Sequence, residues 1–180
     1  MSLFRRLFSS KSKSDQKKKD QQIDDRSKYM PEIDLPVDES FMLNFRKNGG
    51  KFLYCDNENE ILDSFDNILL ENDWYEKKVF CIEKGLEQKF SGYNLEFTKN
   101  TSSSFFLATC EYLIADTGAI LFSSNQLGEK KITELPDNFV ILAGTSQLVQ
   151  NIGEGLKGIK EKNKNAIPTN ITVSYTHLRA

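Results

Sequence analysis

The sequence holds one histidine, His177, three residues from its end, and one tryptophan, Trp74. Without an internal histidine, neither a Ser-His-Asp nor a Cys-His nucleophile system has a base to build on. Cysteine is nearly as scarce. Cys55, Cys81 and Cys110 are far apart, and each lies in an apolar or mixed run. An odd, widely spaced set argues against a disulfide framework and agrees with a reducing compartment. There is no CxxC pair, so a zinc or iron–sulfur site within the chain is not expected. We assign no cofactor to it and read the three cysteines as buried free thiols. No apolar stretch approaches the ~20 residues needed to cross a bilayer. Met1–Phe8 has paired arginines but lacks the apolar run of a secretory signal. These absences point to the cytoplasm.

What is present suits one folded domain: 180 residues, 38% hydrophobic and 28% charged. The net charge of −2 is unevenly spread, because residues 1–28 hold nine Lys/Arg against four Asp/Glu and leave −7 on the rest. An acidic body argues against a nucleic-acid surface. Residues 9–22 contain no apolar side chain, so residues 1–30 read as a disordered basic tail. Leu3, Phe4, Leu7 and Phe8 ahead of them, with Arg5 and Arg6, fit either a weak membrane-surface contact aided by the lysine-rich tail or a frayed terminus.

The body begins near Val37. Phe41, Met42 and Phe45 share a helical face, and Asn48-Gly49-Gly50 supplies a stop. Lys51–Cys55 reads as a short strand. Asn57 and Glu60 form a capping box for a helix carrying Ile61, Leu62, Phe65, Ile68 and Leu69. Strands are expected at Val79–Ile82, around Tyr93–Phe97, on both sides of Asp116-Thr117-Gly118, at Phe139–Ala143 and at Ile171–Val173. A helix capped by Thr145 or Ser146 should carry Leu148, Val149, Ile152, Leu156 and Ile159. Alternating strands and helices predict an α/β layered sandwich with a mostly parallel central sheet, holding both the Asp116-flanking and the Phe139 strands.

Two segments are candidate ligand contacts. Asp116, Thr117 and Gly118 offer a carboxylate, a hydroxyl and a close-approach glycine at a strand end, although the same residues suit a tight turn for its own sake. Gly144, Thr145 and Ser146 lie between a strand end and a helix start, where backbone amides can meet a phosphate. Gly153-Glu154-Gly155-Leu156-Lys157-Gly158 matches GxGxxG. It falls some two turns into the predicted helix, so we read its glycines as packing positions and not as a dinucleotide fingerprint.

Leu107–Phe122, with its Ala115-Asp116-Thr117-Gly118-Ala119-Ile120 core, resembles the signature of the lactate-utilisation (LUD) family, close to "A-I-A-E/D-T-G-T/A-L/I". Leu135-Pro136-Asp137-Asn138-Phe139-Val140-Ile141-Leu142 is similar to that family's "L-L-P-x-x-H-I-V-V" strand. The likeness runs from about Phe41 to Val173, giving a LUD-like domain over 37–173. It implies a fold like the CoA-transferase, ribose-phosphate isomerase and formyltetrahydrofolate cyclo-ligase group. It also implies an accessory role beside an iron–sulfur subunit that oxidises L-lactate to pyruvate. The alternative is a stand-alone enzyme of the same fold group, acting on a phosphorylated or acyl substrate. The family continues with a segment like "G-P-S-R/K-T-A-D-I-E" and further strands. Here residues 174–180 match nothing in it and read as a non-native tail, with the C-terminal strands missing.

Overall fold

The computed structural model describes residues 35–175. The basic tail, its membrane contact and His177 lie outside the described residues.

Helix α1 (Val37–Lys47) opens after Pro36 and buries Phe41 and Phe45, whose rings stack at 5.3 Å. Its stop is local chemistry. Gly49, at φ +82°, lets its own N–H reach Arg46 O while the Gly50 N–H reaches Phe45 O. Lys51–Cys55, expected as a strand, joins no sheet among the described residues and leaves Leu53 and Tyr54 largely exposed. Its composition suits a strand, but none of the described strands supplies it with a ladder. Helix α2 (Glu58–Asn72) starts as the sequence predicts. Asn57 Oδ1 accepts from Glu60 N–H at 3.0 Å, and the Glu60 carboxylate accepts from Asp56 N–H at 2.9 Å. It ends with Asp73 in the left-handed region and Trp74 N–H on Leu69 O, which lays Trp74 flat on Phe105 at 4.4 Å.

Strands β1 (Lys78–Phe80), β2 (Glu96–Thr98), β3 (Phe105–Thr109) and β6 (Phe139–Leu142) make one four-stranded sheet. Its order is β2-β1-β3-β6, and every pair is parallel. The short helix α3 (Lys84–Lys89) links β1 to β2. Strands β4 (Tyr112–Ile114), β5 (Ala119–Phe122), β7 (Leu148–Val149) and β8 (Thr172–Ser174) make a second sheet, ordered β7-β4-β5-β8. The β4–β5 and β5–β8 pairs are antiparallel and β4–β7 is parallel. The runs around Asp116 and Phe139 therefore belong to two sheets, and the expectation of one is corrected. The chain changes sheet at Cys110-Glu111, where Glu111 N–H already bonds to Leu121 O.

Strand alternation sorts the core into layers. Val79, Cys81, Phe105 and Leu107 face α2 and α3, where Phe65 meets Phe90 at 4.0 Å. Phe80, Phe106 and Ala108 face the inner side of the second sheet, with Leu113, Ile120, Phe122 and the two α1 phenylalanines. The outer side of that sheet, through Tyr112, Ile114 and Leu121, packs on Ile159 of helix α5 (Ile152–Lys162). The result is a layered α/β fold whose central sheet is parallel, as the sequence predicts.

The stretch after β6 differs from expectation. Thr145–Gln147 is a single 3₁₀ turn, Leu148–Val149 is β7, and α5 begins only at Ile152, capped by Asn151. Leu148 and Val149 satisfy a helical period as readily as an extended one. Their pairing with Leu113 and Ile114 decides the matter. Gly153 consequently sits in the first turn of α5, directly after a strand and not two turns in. The glycines still work as packing positions. A Cβ on Gly155 would lie 3.0 Å from Leu121, and one on Gly158 would lie 2.2 Å from the Tyr112 hydroxyl. The helix start is also filled from within, because Glu154 accepts from Gln150 N–H and donates its own N–H to Asn151 Oδ1.

Candidate functional site

In parallel sheets, ligands gather beyond the carboxyl ends of the strands where the strand order reverses. Here the chain steps from β1 outward to β2, then returns past β1 to β3 and β6. The reversal therefore lies between β1 and β3. Just beyond it stands Glu83. Its carboxylate accepts from Thr109 N–H at 2.7 Å and from Thr109 Oγ1 at 2.6 Å, tying the two strand ends together.

The next two residues carry the rest. Glu111 is 7% exposed, and its Oε1 accepts from Ser123 Oγ at 2.6 Å, Asn125 Nδ2 at 2.8 Å and Gln126 Nε2 at 3.4 Å. These donors come from the start of the short helix α4 (Ser124–Leu127), which Ser123 caps. A buried carboxylate is tolerated only when donors replace its water, and three do so here. Replacing Glu111 with alanine strands those donors and should cost about 3 kcal/mol in denaturant unfolding. Glu111→Gln, which keeps an acceptor oxygen, should cost clearly less. Equal losses would show that shape and not hydrogen bonding matters at this joint.

From the third strand end comes Gln147, whose Nε2 donates to the carbonyls of Cys110 and Glu111. Its Oε1 accepts from Gly144 N–H at 2.7 Å. Gln147 thereby folds Gly144, Thr145 and Ser146 against the β3 end and leaves all three exposed. The Gly144 amide expected to greet a phosphate is already bonded within the turn.

Asp116, Thr117 and Gly118 lie elsewhere, at the opposite end of the β4–β7 pair, where Asp116 N–H bonds to Gln150 O. The turn is gripped from α1. Asn44 Nδ2 donates to Ala115 O at 2.8 Å and to Asp116 O at 3.2 Å, and Asn48 Nδ2 donates to Thr117 O at 2.8 Å. Ser40 Oγ adds a bond to Ala115 O at 3.3 Å. Positions 40, 44 and 48 are one helical stripe, aimed at one turn. The side chains of Asp116 and Thr117 are exposed. The two candidate segments thus do not form one site.

Sequence reasoning missed Glu83, Glu111 and Gln147. Glu111 carried a usable signal, because it is the only charged residue between Phe105 and Ala115. Glu83 and Gln147 carried none, since their partners are 26 and 37 positions away.

Burial pushes the Cys110 thiol up to about 12, and the charges of Glu111 and Glu83 add to the rise against an opposing effect from Lys162. Burial likewise raises Cys81 to about 11 against an opposing backbone hydrogen bond from Glu83, and the Glu83 and Glu87 charges add to the rise. Such thiols are protonated at neutral pH and are neither nucleophiles nor ready metal ligands. Iodoacetamide should therefore modify half-buried Cys55 in the native protein and reach Cys81 and Cys110 only on unfolding. Native-state labelling of Cys110, seen by peptide mass, would contradict this. Among the described residues, no three His, Cys, Asp or Glu side chains converge as a metal-binding group. No described helix is long and apolar enough to cross a membrane.

The model of the LUD domain matches residues 39–178. The chain belongs to the LUD domain family. Its fold is similar to the crystal structure of a DUF162 family protein from Deinococcus radiodurans, with a TM-score of 0.60 at 14% identity. That likeness covers 78% of this chain and 87% of the other. No curated protein matches the sequence. The LUD match takes in both sheets, the strand-end cluster around Glu83 and Glu111, and the clamped turn at Asp116.

Proposed function

We propose that this LUD domain is a non-redox accessory component of a cytoplasmic L-lactate oxidation system, working with an iron–sulfur subunit. The family match over residues 39–178 carries the reading. The chemistry of the chain is compatible with it. Oxidation of L-lactate to pyruvate removes two electrons and two protons, and the electrons pass to the partner's iron–sulfur clusters. Cys81 and Cys110 are held protonated, so they are poorly suited to bind such a cluster here. Two separate places are the candidate ligand contacts: the exposed loop Gly144, Thr145 and Ser146 beyond β6, and the turn Asp116, Thr117 and Gly118 at the other end of the β4–β7 pair.

The test is affinity purification of the full chain from its own host, together with deletion of its gene. An iron–sulfur protein should co-purify, and growth on L-lactate should fail. Neither an associated iron–sulfur protein nor a growth defect would overturn the reading.

A second reading rests on the same strand ends: a stand-alone enzyme acting on a phosphorylated or acyl substrate. The hydroxyls of Thr145 and Ser146 stand exposed beyond β6, within the turn that Gln147 ties to the β3 end. Calorimetry with sugar phosphates, nucleotides and CoA esters separates the two, since silence across all three removes this option.

A further inference from the structure

On the outer side of the second sheet, the C-terminal half of α5 and the loop after it border an open depression of about 380 Å³. It is lined by Lys157, Lys160, Glu161, Lys164 and Ile167. Lys157 and Lys160, spaced i and i+3, share one face of α5, and Lys164 joins them from the loop beyond the helix end. Like charges at that spacing oppose each other, and only Glu161 answers them. Its single contact, Lys157 Nζ to Oε1 at 3.9 Å, joins two exposed side chains and is worth little.

Two ordinary explanations leave part of this unexplained. Basic residues complement the carboxyl end of a helix dipole, which accounts for Lys160 and Lys162 in the last turn. Lys162 has a further task, since its ammonium lies 4.8 Å over the Tyr112 ring. Neither accounts for Lys157 one turn earlier, for Lys164 beyond the helix end, or for the concavity between them. The sign also runs against the rest of the body, where residues 29–180 carry −7. Ile167, 51% exposed, gives the depression an apolar wall.

We propose that this depression binds a phosphate-bearing ligand with at least two negative charges and an adjoining apolar part. Lysine ammoniums are point-charge phosphate partners, and three of them call for more than one negative charge. The volume lies in the range of small-ligand sites. The ligand is either a free phosphorylated molecule or the headgroup of an anionic lipid, and both share this chemistry.

Two probes and one pair of variants test it on the full chain. Inorganic pyrophosphate is titrated calorimetrically, and vesicles of phosphatidylcholine with and without phosphatidylserine are co-sedimented. The variants are Lys160→Glu/Lys164→Glu and the neutral Lys160→Gln/Lys164→Gln, both at exposed positions. Pyrophosphate binding that weakens at least about tenfold in both variants supports a soluble ligand. Vesicle binding that needs phosphatidylserine and falls in both variants, with no pyrophosphate binding, supports a headgroup. Binding should weaken with salt in either case. If neither probe binds, or both variants bind like the parent, the proposal is overturned. In the second case the basic residues 1–28 would be the binder.

Discussion

Replacing Gly118 with alanine should cost about 3 kcal/mol or more of folding stability in urea unfolding. Two independent effects add here. Gly118 sits at φ +65°, where a side chain strains the backbone by roughly 1–2 kcal/mol. The second effect is larger. A Cβ at this position would stand 2.3 Å from the backbone nitrogen of Phe45 and 2.4 Å from the carbonyl carbon of Asn44. Those are helix backbone atoms, so no rotamer change relieves the clash and the turn has to lift off α1. Lifting it breaks the bonds from Asn44 and Asn48 to the turn carbonyls and loosens Phe41 and Phe45 in the central core. Asparagine separates the two causes, because it tolerates the left-handed region but still carries a Cβ. Gly118→Asn should therefore be nearly as damaging as Gly118→Ala. If asparagine restores stability, backbone strain is the main effect and the close approach of α1 is not.

That turn also shows where sequence reading stops. Asp116-Thr117-Gly118 announces a tight connection between two apolar runs, and the β4–β5 hairpin is there. The spacing of Ser40, Asn44 and Asn48 is visible too. What it cannot announce is that the stripe grips a turn some 70 positions on. Elements decided by neighbours in sequence were legible: the Asn57–Glu60 box that starts α2, and the glycine pair that stops α1. Elements decided by distant partners were not. Phe52, Leu53 and Tyr54 had the composition of a strand and no strand to pair with. Leu148 and Val149 fitted a helix until β4 claimed them. The true start of α5 was nevertheless written locally, because Asn151 and Glu154 repeat the spacing of Asn57 and Glu60. The apolar period runs straight through it and hides the boundary. The site followed the same rule. Gly144–Ser146 could be placed at a strand end from the sequence, whereas the Glu83–Thr109 bond depends on β1 and β3 lying side by side.

Alkaline pH should weaken this fold steeply, and the two buried thiols give the sign. Both have folded-state values above the ordinary 9.0, at about 11 for Cys81 and about 12 for Cys110. A thiol is neutral when protonated, so the folded state keeps protons that the unfolded state releases above about pH 9. Stability from this source is complete below that point and is lost as pH rises toward the folded values. By about pH 12 the loss is on the order of 5 kcal/mol, comparable to the whole stability of many domains. Tyr75, pushed up to about 12 chiefly by its hydrogen bond to Asp66, adds a loss of the same sign, so the total slope alone decides nothing. The comparison is between the parent and Cys81→Ala/Cys110→Ala, in urea unfolding at about pH 8 and about pH 10.5. The variant should start less stable, because it loses packing in two core clusters. It should then lose distinctly less than the parent over that interval. Parallel slopes would mean that Cys110, set between Glu83 and Glu111 where the chain crosses from one sheet to the other, is reached by water, and that the joint is open in solution.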